Sequence, residues 1–477
     1  MSLLITGGTI IDGVADTPVE GSIWIDGARI RAIGRREELP VPEDVKVVDA
    51  EGKYVIPGLM NANVHLLGDP RLEKLVRYMD RFEDLIIEAA QVALKNGLTT
   101  VFDTWGPRRF LMAARDRIDS GQASGARILC AGNIIGLEGP ISPDFFAKAA
   151  DVASSILAKR INAIWVENVG RHLMWLTPEQ VAEEVRAYID KGIDFIKYAS
   201  NEHGSQAAGA FLQFSPRVQE AIVEEAHRAD LTAQAHCMTV EGLRMAIEAG
   251  CDLITHCNIT GPTPIPESTL EMFAERNVGA VVFPFTQRRL DWLFAQTSQS
   301  DLSTELIHTV HGAGDTNVRN LIRSEATLLL ANDAGVSAPE RAADPNVGRW
   351  LGLDVDNAFD LAEGHFFWFQ AMEEKGCEPM RMLRAATRNI AEAYGKDKDL
   401  GTLEPGKIAD VIILDENPLQ AAANYRSIHL VIKDGTIVDR EALPANPILT
   451  NPLEPPVEEE ASYIPFLSAG KPSPSAM

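Results

Sequence analysis

Cysteine is scarce in this chain of 477 residues: five only, at Cys130, Cys237, Cys251, Cys257 and Cys377. They are scattered, odd in number and form no C-x-x-C pair, which excludes a disulfide framework and fits a reducing compartment. Long apolar runs are missing too; no stretch approaches the roughly 20 residues of a membrane-spanning helix. The opening residues, Met1-Ser2-Leu3-Leu4-Ile5-Thr6, lack the basic and apolar regions of a secretory leader. Positive charge is in deficit. Lys and Arg number 44 against 68 Asp and Glu, a net charge of −24, which opposes binding to nucleic acid or to an anionic membrane. The expectation is a cytoplasmic homo-oligomer that takes a small molecule, with no nucleic acid and no membrane as partner.

What is present is a strong change of rhythm. Residues 1–56 carry short apolar runs separated by Gly7-Gly8, Asp12-Gly13 and Asp26-Gly27, the punctuation of small β-hairpins. After Gly58 the pattern becomes strand, helix, strand. Apolar strand-like runs recur at Tyr54–His65, Thr99–Asp103, Ala126–Ala131, Asp194–Tyr198, Thr232–Ala235, Leu253–Thr255, Gly279–Phe283 and Thr327–Ala331. Helical segments lie between them. Thr177-Pro178-Glu179-Gln180 opens one with a Thr cap, an early Pro and a Gln at the third position, and Pro379–Tyr394 is read as the last helix. Eight such strands are the period of a (β/α)8 TIM barrel. From Leu400 β character returns. The predicted α/β architecture is a barrel over 57–400, a small composite β-sandwich domain from 1–56 and 401–445, and a Pro- and Glu-rich C-terminal extension over 446–477.

Active groups in such a barrel sit at the carboxyl ends of the strands. Alternation along the first strand aims Asn61, Asn63 and His65 at one face. The other strand ends carry Lys197, His236, His256 and Asp333. Imidazole and carboxylate together are a ligand set for zinc, cobalt, manganese or iron. Each residue has a plainer reading beside this one: the histidines as satisfied core residues, Lys197 as half of an ion pair, Asp333 as a turn cap.

The stretches Pro57–His65, Phe195-Ile196-Lys197, Ala235-His236, Thr255-His256, Asn332-Asp333-Ala334 and Gly401–Asp410 together resemble the amidohydrolase superfamily of metal-dependent hydrolases, over nearly all of residues 1–445. The resemblance implies a barrel with a side β-sandwich and one or two divalent ions, zinc, cobalt or manganese, per subunit. Asn63, His65, Lys197, His236, His256 and Asp333 would be the metal ligands, Lys197 as a carboxylated lysine. Asp333, Lys197 and His256 would be the catalytic set, with Asp333 shuttling the proton. One departure is Asn63, where the superfamily usually has the first His of His-x-His; Asn-x-His is similar to the branch of phenylurea and thiocarbamate (molinate) hydrolases. A carboxamide oxygen is a weaker donor than imidazole to such metals. Met238 is a second departure, placing an apolar side chain where relatives often carry another His.

The implied activity is hydrolysis of an amide, urea or thiocarbamate C–N bond by metal-activated water, in xenobiotic degradation. Substrate contacts are expected from Trp105, His203, Phe285 and Arg288, with Phe110, Phe211, Phe214, Phe283 and Trp292 as further apolar lining. Arg288 and Arg289 could instead hold a carboxylate, which would favour an N-acyl amino acid or dipeptide. A non-catalytic assembly protein on the same scaffold is the alternative of another class. His203 serves equally well as a surface residue, His308, His311 and His227 read as helix-surface residues, and His172 and His365 stay open. Phe366-Phe367-Trp368-Phe369 reads as packing or a subunit contact, and Cys237 and Cys257 as inert core.

Overall fold

The run from Tyr54 to His65 is two strands in two different sheets, joined at Gly58. A side chain there would drive its Cβ into Thr99, 2.7 Å from Cγ2, so only glycine lets the chain pass so close to the neighbouring strand. The structure, a computed structural model, describes residues 2–68, 72–145, 153–202, 211–297, 302–336 and 355–451.

Before Gly58, Tyr54–Pro57 pairs antiparallel with Val411–Leu414 and parallel with Ser2–Ile10. Strands from the beginning and the end of the sequence therefore share one eight-stranded sheet, which also holds Val19–Asp26, Arg29–Gly34, Lys46–Asp49, Ile428–Lys433 and Thr436–Ile437. The Asp26-Gly27 hairpin forms as its sequence predicts, with Gly27 at φ 59°. Gly7-Gly8 does not end a strand; it is a bulge within Ser2–Ile10, with Gly7 at φ 72°. Leu3, Ile5, Ile23, Val55, Val411 and Ile413 give this sheet an apolar cluster of its own.

After Gly58 come the parallel strands β1 (Leu59–Val64), β2 (Leu98–Asp103), β3 (Arg127–Cys130), β4 (Ile196–Ala199), β5 (Ala233–His236), β6 (Leu253–Thr255), β7 (Gly279–Val282) and β8 (Thr327–Leu330). They form a three-stranded sheet, β1-β2-β3, and a five-stranded sheet, β4-β5-β6-β7-β8. Parallel bridges Val64↔Ala334 and Ile135↔Tyr198 link the two sheets at both edges. Each strand is buried on both faces, as parallel strands flanked by helices are.

The helix signals behave as capping predicts. Thr177 and Gln180 form a reciprocal capping box at Pro178–Ile189, and Ser215 and Thr239 cap the helices that follow them. The expected helix over 379–394 is instead two, Pro379–Ala385 and Arg388–Ala393. The break has a use: the Ala386 carbonyl accepts the Met60 N–H at 2.8 Å and so serves β1. Trp368 donates to the Val282 carbonyl at 3.0 Å and Phe369 stacks on Tyr425, so that aromatic run is core packing. The first residues of the extension are held down. The buried Glu88 carboxylate accepts the N–H groups of Ile448, Leu449 and Thr450, each at 2.8 Å; residues 452–477 lie outside the described residues. No helix among the described residues is long and apolar enough to cross a membrane.

Candidate active site

The ends of β1, β4, β5, β6 and β8 bring these side chains toward one another, but not at the single depth across five strands that their positions in the sequence suggest. Lys197 on β4 lies opposite Gln234 on β5, two residues before His236. Its long stem carries Nζ upward to Thr255 Oγ1, at 2.5 Å, and to Asn63 Oδ1, at 3.4 Å. His236 and Thr255 are opposite one another on β5 and β6. His256 and Asp333 follow the ends of β6 and β8 with left-handed backbones, φ 59° and 50°. That conformation is uncommon outside glycine and recurs where function holds it in place.

Asp333 is the centre of the arrangement. Asn63 Nδ2 donates to its Oδ1, His65 Nε2 lies 3.3 Å from the same oxygen, and His256 Nδ1 lies 3.4 Å from Oδ2. Burial alone would raise this carboxyl; His256, the hydrogen bond from His65 and the Lys197 charge outweigh it and hold Asp333 well below the usual carboxylate range. Burial drives Lys197 the other way, down to about 7, against the pull of Asp333. The His236 and His256 rings meet edge to face, 5.0 Å apart, and Phe283 stacks on His256 at 4.5 Å.

Sequence reasoning missed the end of β2. Thr104 Oγ1 donates to Asn63 Oδ1. The Asp103 carboxylate accepts Leu66 N–H at 2.7 Å and Trp105 N–H at 3.2 Å, which fixes the turn that carries His65. Complete burial pushes Asp103 up to about 7, although His65 and these N–H groups pull it down. Gln234 and Thr255, also missed, form a 2.5 Å bond beneath Lys197. The available signal was position alone: Asp103 ends a strand and Thr104 follows it, as His65 and Asp333 follow theirs.

The expected substrate lining is divided. Trp105 belongs to the site, edge-on to His65 at 5.9 Å and stacked on Phe145 at 3.9 Å. Phe285 lines a void of about 20 Å³ with Phe283, Leu290 and His311, large enough for a water and too small for a ring. Arg288 is mostly exposed and paired with Asp356 at 3.0 Å; Arg289 lies over the Phe285 and Phe359 rings. Phe110 packs on Phe82 and Phe214 is core, whereas Phe211 is exposed and Trp292 is half-buried on the helix Gln287–Thr297. His203 lies outside the described residues. His365 is buried, with Nε2 2.9 Å from the Asn96 carbonyl, His172 is exposed, and burial raises Cys237 to about 12, the signature of an inert thiol.

Among the described residues, no three or more His, Cys, Asp or Glu side chains stand as a formed metal cage; the candidates face one another. Their chemistry nevertheless fits a divalent ion. Imidazoles and a carboxylate of depressed pKa are its ordinary ligands, and His65 Nδ1 is buried with no hydrogen-bond partner.

Parallel strands whose polar side chains gather at the carboxyl ends are the arrangement of an α/β enzyme site. More narrowly, the chain belongs to the amidohydrolase family, whose pattern matches residues 54–438, and it is an enzyme acting on carbon–nitrogen bonds other than peptide bonds. It is similar to the solved structure of molinate hydrolase, with TM-score 0.88 and 36% identity, covering 95% of this chain and 98% of that one. Phenylurea hydrolase B superposes with TM-score 0.87 and 35% identity, covering 94% and 100%. Ochratoxinase of Aspergillus niger is 24% identical over 437 residues, 87% of this chain and 82% of its own length.

Proposed function

We propose that the chain is a metal-dependent hydrolase of a C–N bond in a neutral, largely apolar xenobiotic, a phenylurea or thiocarbamate first among them. The observation that carries this reading is Asp333, ionised at the strand ends and faced by Asn63, His65 and His256. Similarity to molinate hydrolase and phenylurea hydrolase B supports the substrate class. Arg288, already paired with Asp356, supplies no spare charge for the carboxylate of an N-acyl amino acid or dipeptide. We read β1 to β8 as a closed (β/α)8 barrel over 57–400, with a composite β-sandwich from 1–56 and 401–445 beside it. The protein is read as a cytoplasmic homo-oligomer; its five buried cysteines, none in a disulfide, support a reducing compartment.

His65, His236, His256 and Asp333 would hold a divalent ion, zinc, cobalt or manganese, and Lys197 would serve a second. Such an ion supplies an acidified water and polarises the carbonyl under attack. Asp333 takes a proton at a carboxylate oxygen and delivers it to the departing nitrogen. An uncharged Lys197 amine, favoured by its burial, is the form that adds CO2 to give a carbamate and a released proton. Trp105, flat against Phe145, gives an apolar wall beside His65 that holds a ring or alkyl group and keeps bulk water off the reacting bond.

The test is release of 4-nitroaniline from N,N-dimethyl-N'-(4-nitrophenyl)urea, read by absorbance. Removing metal with a strong chelator is expected to lower kcat by about 100-fold or more, and zinc or cobalt to restore it. Protein that contains no metal and turns the urea over at an unchanged rate would end the proposal.

A further inference from the structure

We propose that Thr104 is a positioning residue for this reaction. Its hydroxyl fixes the Asn63 carboxamide so that the amide nitrogen faces Asp333, which makes Asn63 a hydrogen-bonding bridge to the base and not a metal ligand. The inference deepens the metal-hydrolase reading and rests on it.

The backbone prepares the contact. Between β1 and β2 the register slips, for Asn61 lies opposite Val101 and Val64 opposite Asp103. Three steps on β1 thus match two on β2, a bulge of the kind that re-aims a side chain. Asn63 sits within it. The slip sets Thr104 N–H 3.2 Å from the Val64 carbonyl and lets the Thr104 hydroxyl reach Asn63 Oδ1. Both side chains are fully buried, so water cannot substitute for either partner.

The hydrogen-bond inventory then decides the role of Asn63. A carboxamide oxygen has two lone pairs. One takes the Thr104 hydroxyl and the other faces Lys197 Nζ at 3.4 Å. With the oxygen so occupied, the NH2 group is the part left for Asp333, and it donates to Oδ1. The opposite orientation would set the amide oxygen against the Asp333 carboxylate and the NH2 group against the Lys197 amine. Asp333 and Lys197 set the orientation, and the Thr104 hydroxyl holds the carboxamide in it, with the amide nitrogen on Asp333. The residue before it, Asp103, pins the Leu66 N–H beyond His65. One strand end thus steadies both polar side chains of Asn63-Val64-His65.

A double-mutant cycle tests this. Zinc affinity, measured by competition with a chromogenic chelator, and kcat on N,N-dimethyl-N'-(4-nitrophenyl)urea are determined for Thr104→Val, Thr104→Ser, Asn63→Ala and Thr104→Val/Asn63→Ala. Val keeps the shape of Thr and loses the donor; Ser keeps the donor. Thr104→Val is expected to lower kcat, zinc affinity or both by about 10- to 100-fold, with Thr104→Ser within about threefold of the parent. If Thr104 acts through Asn63, adding Thr104→Val to Asn63→Ala changes either quantity by less than about twofold. An equal loss in both backgrounds, or a Thr104→Val protein as active and as zinc-avid as the parent, would overturn the proposal. If the parent binds zinc but leaves the urea intact, the substrate reading fails separately, and the zinc affinities alone still separate coupled from independent action of Thr104 and Asn63. Thermal midpoints confirm that the variants are folded; Thr104→Ala, which also lacks the donor, takes the place of Thr104→Val, alone and with Asn63→Ala, if Thr104→Val is not.

Discussion

Asp333 receives Asn63, His65 and His256 on its two oxygens, so one atom-for-atom change is informative. Asp333→Asn keeps the shape and removes the charge and the proton acceptor. It is expected to lower kcat on the nitrophenyl urea by about 10³-fold, with the circular dichroism of the parent; a loss under tenfold would take the base role from Asp333. At this scale the legible residues were those whose type is costly to place at a strand end without a use. His65, His236, His256, Lys197 and Asp333 stand out for that reason. Thr104, Thr255 and Gln234 do not, because hydroxyls and amides are ordinary strand residues. Their role lies in register: the slip near Asn63 and the offset of Lys197 from His236. Alternation along a single strand carries no information about its neighbour's offset.

Among the elements, capped helices and the Asp26-Gly27 hairpin were readable because local chemistry dictates them, whereas Asp12-Gly13 lies in the longer loop between Ile10 and Val19. The Thr177 capping box is a contact between neighbours in sequence. The sheet change at Gly58 and the break at Ala386-Thr387 answer to distant groups, Thr99 and the Met60 N–H, and local periodicity cannot show them. Gly58→Val should therefore overpack the β1–β2 contact and cost about 1–3 kcal/mol, read as a lower urea midpoint with unchanged slope. The Glu88 clasp makes a separate prediction. Glu88→Gln turns an NH2 group toward N–H groups that need acceptors, at a cost of about 1–3 kcal/mol. Faster hydrogen exchange at Ile448, Leu449 and Thr450 is the expected readout; unchanged protection there would show that the Glu88 charge is not what holds the segment.

For the molecule as a whole, buried ionisable groups couple folding to pH. Burial lowers His365 to about 4, opposed by its Asn96 contact, so it folds neutral. The unfolded chain takes up this proton at higher pH than the folded one. The stabilisation is present above about pH 6.5 and is lost as pH falls toward 4, roughly 3 kcal/mol in all. His365→Gln should remove that share of the acid sensitivity, measured as the difference between parent and variant in urea unfolding from pH 8 to pH 4; parallel curves would refute it. Alternating strand and helix signals predicted the repeated parallel strands at this scale, whereas the joining of the outermost segments into a single sheet was legible only as shared β character. That joining reaches into synthesis. Tyr54–Pro57 waits for Val411–Leu414, so a ribosome must deliver nearly the whole chain before that edge is covered. A nascent chain stalled short of Val411 would carry an open strand edge, a natural foothold for chaperones and for premature aggregation.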